Sequence, residues 1–139
     1  MSATKTRAVA LEVVIPGQPV PASRPRVTHA RGVYYHKRYE QWLESAKWLA
    51  RDAGVKAFGS APRWVSSVTV RVEFYGANDQ ADIDNLLKAS LDALQPDVIA
   101  NDRQVKSVFA FRHPASGLIG PRTVITVIPL DPFEAGGGG

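Results

Sequence analysis

The sequence predicts one domain of the α+β or α/β class, a single mixed β-sheet with two helices packed on it. Three observations carry this. Val68, Val70, Val72 and Phe74 alternate strictly with Thr69, Arg71, Glu73 and Tyr75, the period of a half-buried strand. Residues 37–53 and 83–95 instead repeat apolar residues at intervals of three and four, the period of a helix packed on one side. Strand-like segments precede, separate and follow these two stretches. At 139 residues and 45% apolar, the chain is long enough to bury one core of ordinary composition.

Residues 1–7 are polar and basic and are expected to be a flexible tail; the domain runs from 8 to 131. Val9, Leu11, Val13 and Ile15 alternate with Ala10, Glu12 and Val14, which predicts a first strand over 8–15, closed by the turn pair Pro16-Gly17. Pro19, Pro21 and Pro25 make 18–27 an extended loop, because proline removes a donor and fixes φ. Val27–His29 and Val33–Tyr35 flank Ala30, Arg31 and Gly32, which predicts a hairpin. The helix over 37–53 buries Tyr39, Trp42, Leu43, Ala46, Leu49, Ala50 and Ala53 and stops at Gly54. Trp48 lies opposite that stripe on a polar face; it either folds onto the loop that follows the helix or sits in a subunit interface.

After a loop over 55–66 and the strand over 68–75, the second helix carries Ile83, Leu86, Leu87, Ser90, Leu91 and Leu94 on its inner stripe, and Pro96 ends it. Residues 105–111 are apolar on both faces, Val108 and Ala110 on one and Val105, Phe109 and Phe111 on the other, which predicts an interior strand. Residues 122–130 form the last strand and are a candidate to pair with it as a hairpin. Residues 132–139 end in four glycines and are expected to be a second flexible tail.

The chain has no cysteine, which excludes disulfides, thiolate catalysis and cysteine zinc sites. Its histidines, His29, His36 and His113, lack metal-ligand spacing. No apolar run reaches the length of a membrane span and no signal-peptide core opens the chain, so a cytoplasmic protein with no membrane partner is expected. A net charge of +4 and a pI of about 9.6 favour a polyanionic partner, nucleic acid first. Between Arg24 and Arg38 stand five bases (Arg24, Arg26, Arg31, Lys37 and Arg38) and no acid, with two tyrosines and two histidines among them. Cations for phosphates beside rings for stacking suit DNA; a merely solvated basic loop is the plainer alternative.

Against this background the segment from Asp79 to Asp102 holds six of the chain's 13 acidic residues and one base, Lys88. Clustered carboxylates repel one another unless a cation joins them. Mg²⁺ takes oxygen ligands, one or two carboxylates plus substrate phosphates. Asp82 as a helix cap and Asp84 as a first-turn acid would each have an ordinary structural role. Asp84, Lys88 and Asp92 recur every four residues and project from one face. Capping does not explain these with Asn85 and Asp102 as a set. Lys88 is placed to stabilise developing negative charge, or simply to pair with Asp84. Asp92 lies two turns from Asp84 and reads as structural or as supporting the site.

The spaced set D-I-D-N-L-L-K-A-S-L-D-A-L followed by N-D-R-Q-V resembles the RusA family of Holliday junction resolvases. The matching positions are Asp82, Asp84, Asn85, Lys88, Asp92, Ala93 and Leu94, then Asp102, Gln104 and Val105. The resemblance extends over about 9–129, with a similar proline-rich and basic loop near the start. It implies a RusA-like fold and a homodimeric, Mg²⁺-dependent endonuclease, with Mn²⁺ as a substitute, that cuts four-way DNA junctions by paired incisions in recombination and repair. It further implies that Asp82, Asp84 and Asp102 are catalytic carboxylates that hold the metal, and that Lys88 assists them. Some members carry Asp-Asp where this chain has Asn101-Asp102; Asn101 offers a carbonyl oxygen instead.

Two other classes fit parts of the pattern. A non-catalytic basic DNA-binding module explains the 24–38 stretch and leaves the acids unexplained. A metal-dependent phosphatase or transferase also uses D-x-D, but usually at the very end of a strand, whereas here a polar loop precedes the motif and a helix follows it.

Overall fold

A computed structural model describes residues 10–23, 30–115, 117–118 and 120–130, and only the backbone of 30–36. The strands are β1 (Leu11–Pro16), β2 (Val68–Tyr75), β3 (Val105–His113) and β4 (Arg122–Pro129); the helices are α1 (Ala30–Phe58) and α2 (Ile83–Leu94). The four strands form one mixed sheet in the order β1-β4-β2-β3. β4 runs antiparallel to both β1 and β2, while β3 runs parallel to β2. Parallel neighbours need a long crossover, and α2 supplies it between β2 and β3.

Both helices cover the same face of the sheet. Ala46 and Ala50 of α1 and Leu86, Ala93 and Leu94 of α2 join Leu11, Val13, Ile15, Val68, Val70, Val72, Phe74, Ile125 and Val127 in one core. These strand residues are the alternate positions read from the sequence, and removal of their apolar surface from water drives the packing. Tyr39 joins the two helices directly by donating its hydroxyl to Asp92 Oδ2 at 2.6 Å. Among the described residues the other face of the sheet carries no helix and leaves Val14, Phe109, Phe111 and Ile128 exposed. Several of its charged and aromatic groups are engaged with one another. Arg71 pairs with Glu73 at 3.5 Å, Glu73 also meets Tyr75 and His113, and Arg122 lies over the Tyr75 ring.

Several expectations are corrected. No hairpin forms at 30–35: this stretch is the start of α1, and 27–29 lie outside the described residues. Once a helix is nucleated, each added residue gains a backbone hydrogen bond at little cost, which outweighs the weak strand preference of Val33, Tyr34 and Tyr35. Gly54 does not stop α1, which continues to Phe58. The stop is Gly59, with φ +90 and its N–H bonded to Val55 O at 2.8 Å. Gly54 is glycine because a Cβ there would lie 2.7 Å from Pro62 Cδ.

β3 is an edge strand, not an interior one, and it does not form a hairpin with β4. β4 enters between β1 and β2 instead, because the crossover has already committed β3 to the far side of β2. A register shift at Val68/Thr69 sets Val105 opposite Val68 and turns it to the core side, away from Phe109 and Phe111. Ile83, expected on the inner stripe of α2, is 40% exposed. Trp48 is 63% exposed and does not fold onto the following loop. Among the described residues no helix is long and apolar enough to cross a membrane.

Gly54→Ala, which in an open helix is stabilising by about 1 kcal/mol, is expected here to lower stability by about 1–3 kcal/mol through overpacking against Pro62. Urea unfolding of Gly54→Ala and of Gly54→Ala with Pro62→Ala measures this; the second change is expected to recover most of the loss.

Candidate active site

Asp82 occupies the N-cap position of α2 in extended conformation, φ −73 and ψ 140, yet its side chain makes no capping hydrogen bond. The ordinary structural reason for an aspartate there is therefore missing. Asp84 stands in the first turn, exposed, with Oδ1 accepting from the Asn85 N–H at 3.0 Å. Both carboxylates sit at the N-terminal end of α2, the positive end of the helix dipole.

The loop that delivers Asp82 is anchored from β3. The Arg112 guanidinium donates to Ala81 O at 2.5 Å and to Asn78 O at 2.9 Å. Asn78 Oδ1 accepts the Gln80 N–H at 2.8 Å, and Asn78 O also accepts the Ala81 N–H at 2.9 Å. Sequence reasoning missed Arg112, since a base on an apolar strand gives no sign that it bonds carbonyls some 30 residues away. On the other side, the Ala22 N–H donates to Asn85 O at 2.9 Å and ties the proline loop to the first turn of α2.

Lys88 pairs with Asp92 at 3.7 Å, one turn further on, and not with Asp84. Asp92 also takes the Tyr39 hydroxyl; burial first, then that hydrogen bond and the carboxylate's charge push the Tyr39 phenol well above its ordinary range. Asp92 is thus a strut between the helices.

Asp102 opens a short 3-10 turn, Asp102–Gln104, whose cap is Asn101. Asn101 Oδ1 accepts the Arg103 N–H, and Gln104 Oε1 accepts the Asn101 N–H, both at 2.8 Å. Gln104 Nε2 donates to Trp64 O and Ser66 O at 2.8 Å each, fastening the turn to the segment that enters β2. The carbonyl oxygen that Asn101 offered is used in this cap. Asp102 itself is exposed.

A family model for endodeoxyribonuclease RusA matches residues 16–128. The chain belongs to the RusA endodeoxyribonuclease family. As a RusA nuclease it is an enzyme of the Holliday junction resolvase class. Such nucleases depend on a metal ion and act on branched DNA. A search of curated proteins gives no match.

The donors of this RusA nuclease fit a hard divalent cation: two carboxylates two residues apart at the start of α2, one relieved of capping duty, on a chain without cysteine. Asp82 and Asp84 stand together at one end of α2. Asp102 stands at the other, because β3 starts beside the start of β2 and α2 is about 18 Å long at 1.5 Å per residue. Consistently, among the described residues no three His, Asp or Glu side chains are close enough to hold one metal ion. Of the predicted DNA contacts, Lys37 and Arg38 are exposed on α1, and Arg38 Nη2 donates to Gln18 Oε1 at 3.3 Å. Arg24 and Arg26 lie outside the described residues, and Arg31 is described by backbone alone.

Loosening the loop before Asp82 should weaken metal binding. Arg112→Ala is expected to raise the metal concentration needed for half-maximal nicking by about 10-fold or more, the usual cost of losing a group that orients ligands. Arg112→Lys, which keeps the charge but not the two-pronged geometry, is expected to recover only part. Metal titrations of the nicking rate measure both.

Proposed function

We propose that this RusA nuclease is a Mg²⁺-dependent homodimer that resolves four-way DNA junctions by paired phosphodiester hydrolysis, in recombination and repair. Mn²⁺ would substitute, since it takes the same oxygen ligands in octahedral geometry. The observation that carries the reading is the uncapped Asp82 beside Asp84, two carboxylates available to a cation on a chain of net charge +4.

Asp82 and Asp84 hold the ion. When bound, Mg²⁺ neutralises phosphate charge and lowers the pKa of the attacking water. Lys88 meets the negative charge that develops on the phosphate oxygens; its exposed pair with Asp92 at 3.7 Å costs little to break. Arg24, Arg26, Arg31, Lys37 and Arg38 bind the backbone phosphates of the junction arms.

Asp102 completes the site from a second copy. β3 is a nine-residue edge strand whose outer side has no partner strand among the described residues, a ready template for strand pairing. Antiparallel pairing of two β3 strands about a two-fold sets the start of one beside the end of the other. Asp102 precedes the start of β3, and Arg112, which anchors the Asp82 loop, lies near its end. The pairing therefore brings Asp102 of the partner subunit toward Asp82 and Asp84. Exposed Phe109 and Phe111 on the same strand gain cover. β1 and α1 pack together at the opposite edge of the sheet; Trp48, exposed on α1, is the other surface offered for an interface.

Asp82→Asn, Asp84→Asn and Asp102→Asn are each expected to slow junction cleavage by about 100-fold or more, on the scale of losing one electrostatic contact to the transition state. Gel shifts should still show junction binding. Retained cleavage in any of the three removes that residue from the site.

Mixing two inactive variants tests the shared site. In a heterodimer of Asp82→Asn and Asp102→Asn, one site loses both residues and the other loses neither. Random assortment should restore nicking to about one quarter of the wild-type sites if each site spans the two-fold. A site built within one chain would give no recovery.

A further inference from the structure

A pocket of about 280 Å³ opens next to the Asp82 loop. One wall is the proline stretch 18–23, the other is the loop 78–81, and Arg38 of α1 stands beside them. The walls are held apart by fixed bonds. Gln18 Nε2 donates to Gly76 O at 3.2 Å, and Ala22 N–H is tied to Asn85 O at 2.9 Å. The pocket is thus built into the frame that positions Asp82 and Asp84, and its volume is near the lower end for ligand sites, roughly 300 Å³.

Its chemistry is that of a receptor for a flat, edge-polar group. Pro19, Pro21 and Ala22 line the pocket, and the half-buried Pro21 ring offers apolar surface to the face of a base. The Ser23 hydroxyl is buried and has no hydrogen-bond partner among the described residues, a costly state unless a ligand supplies one. Asn78 spends its side-chain oxygen on the Gln80 N–H, and among the described residues neither its amide hydrogens nor the exposed Gln80 side chain makes a hydrogen bond. A phosphate would seek several cations and N–H donors. A nucleobase edge presents alternating donors and acceptors, which a hydroxyl and two carboxamides can match. Ala81 lines the pocket and Asp82 is the next residue, about 3.8 Å on between Cα atoms.

We propose that this pocket receives one unstacked nucleobase of the strand being cut, next to the phosphate at Asp82 and Asp84, and that Ser23, Asn78 and Gln80 read its edge. The proposal rests on the junction-nuclease reading above and makes the pocket its base-selecting subsite. Unstacking a base costs least where pairing is already disturbed, as at a branch point.

Two measurements on the same proteins test this. The first is nicking of a panel of four-way junctions that differ only in the base beside the cut. The second is the fluorescence of 2-aminopurine placed at that position, or at the branch point, in complexes formed in EDTA; this base brightens when it leaves the stack. Gln80→Ala changes an exposed side chain, and Ser23→Ala removes a buried hydroxyl with no partner among the described residues, so both should fold, as melting curves will show. Wild type is expected to prefer some bases, and each variant to shrink the ratio of best to worst substrate by about 5-fold or more, the lower end for a good amide–base contact. The wild-type complex is expected to brighten and the variants to brighten less. Equal cutting of all junctions by wild type, or an undiminished preference in both variants, overturns the pocket's role while leaving the nuclease reading intact. Pocket-dependent brightening without any cutting would instead uphold the pocket and defeat the nuclease reading.

Discussion

Parallel pairing of β2 with β3 is the constraint on which the rest of the molecule depends. Two parallel neighbours cannot be joined by a tight turn, so the chain must return along the length of the sheet. It returns as α2, and the return journey separates what the sequence brings close. Asp82 and Asp84 mark where the crossover leaves the top of β2; Asp102 marks where it re-enters at the bottom as β3. The same crossover leaves β3 on the outside of the sheet, since β4 takes the other flank of β2. One topological choice thus divides the acidic set and exposes the strand through which a second copy would reunite it.

The end of α2 that carries Asp82 and Asp84 is held by contacts from three directions. Arg112 on β3 grips the backbone of Asn78 and Ala81, Ala22 of the proline loop meets Asn85, and Gln18 reaches Gly76. All are bonds to backbone carbonyls, which orient a loop without dictating its side chains. That leaves Asp82 free of the capping bond that its position would ordinarily take, a carboxylate kept available by geometry made elsewhere. Asp102 is steadied differently, by the reciprocal Asn101–Gln104 cap and by Gln104 bridging to Trp64 and Ser66.

Much of the core is legible in the amino-acid order. The alternation in 68–75 and the stripes of both helices reappear as buried residues, with Tyr39, Ala46, Ala50, Leu86 and Leu94 among them. The departures share a cause. Val33, Tyr34 and Tyr35 have strand propensity, but they extend a helix whose downstream turns already bear the cost of nucleation. Phe109 and Phe111 look like interior residues, yet a run of apolar residues does not say whether a second strand lies beside it. Gly54 looks like a stop signal, whereas its reason is the ring of Pro62. In each case the local pattern is sound and a distant neighbour decides.

By itself, the amino-acid order determined the chemistry and the periodicity. Residue types and their spacing settle which faces are apolar, where a helix can run, and that hard oxygen ligands cluster on a basic chain, because these depend on side chains a few positions apart. Only the tertiary structure decided what meets across the sheet: that β3 lies at an edge, that Arg112 anchors the Asp82 loop, that Asp102 stands a helix length away, and that a pocket opens between the proline loop and residues 78–81. Those outcomes follow from which strand pairs with which, and strand order is a contest among long-range contacts whose energies no local stretch of sequence contains.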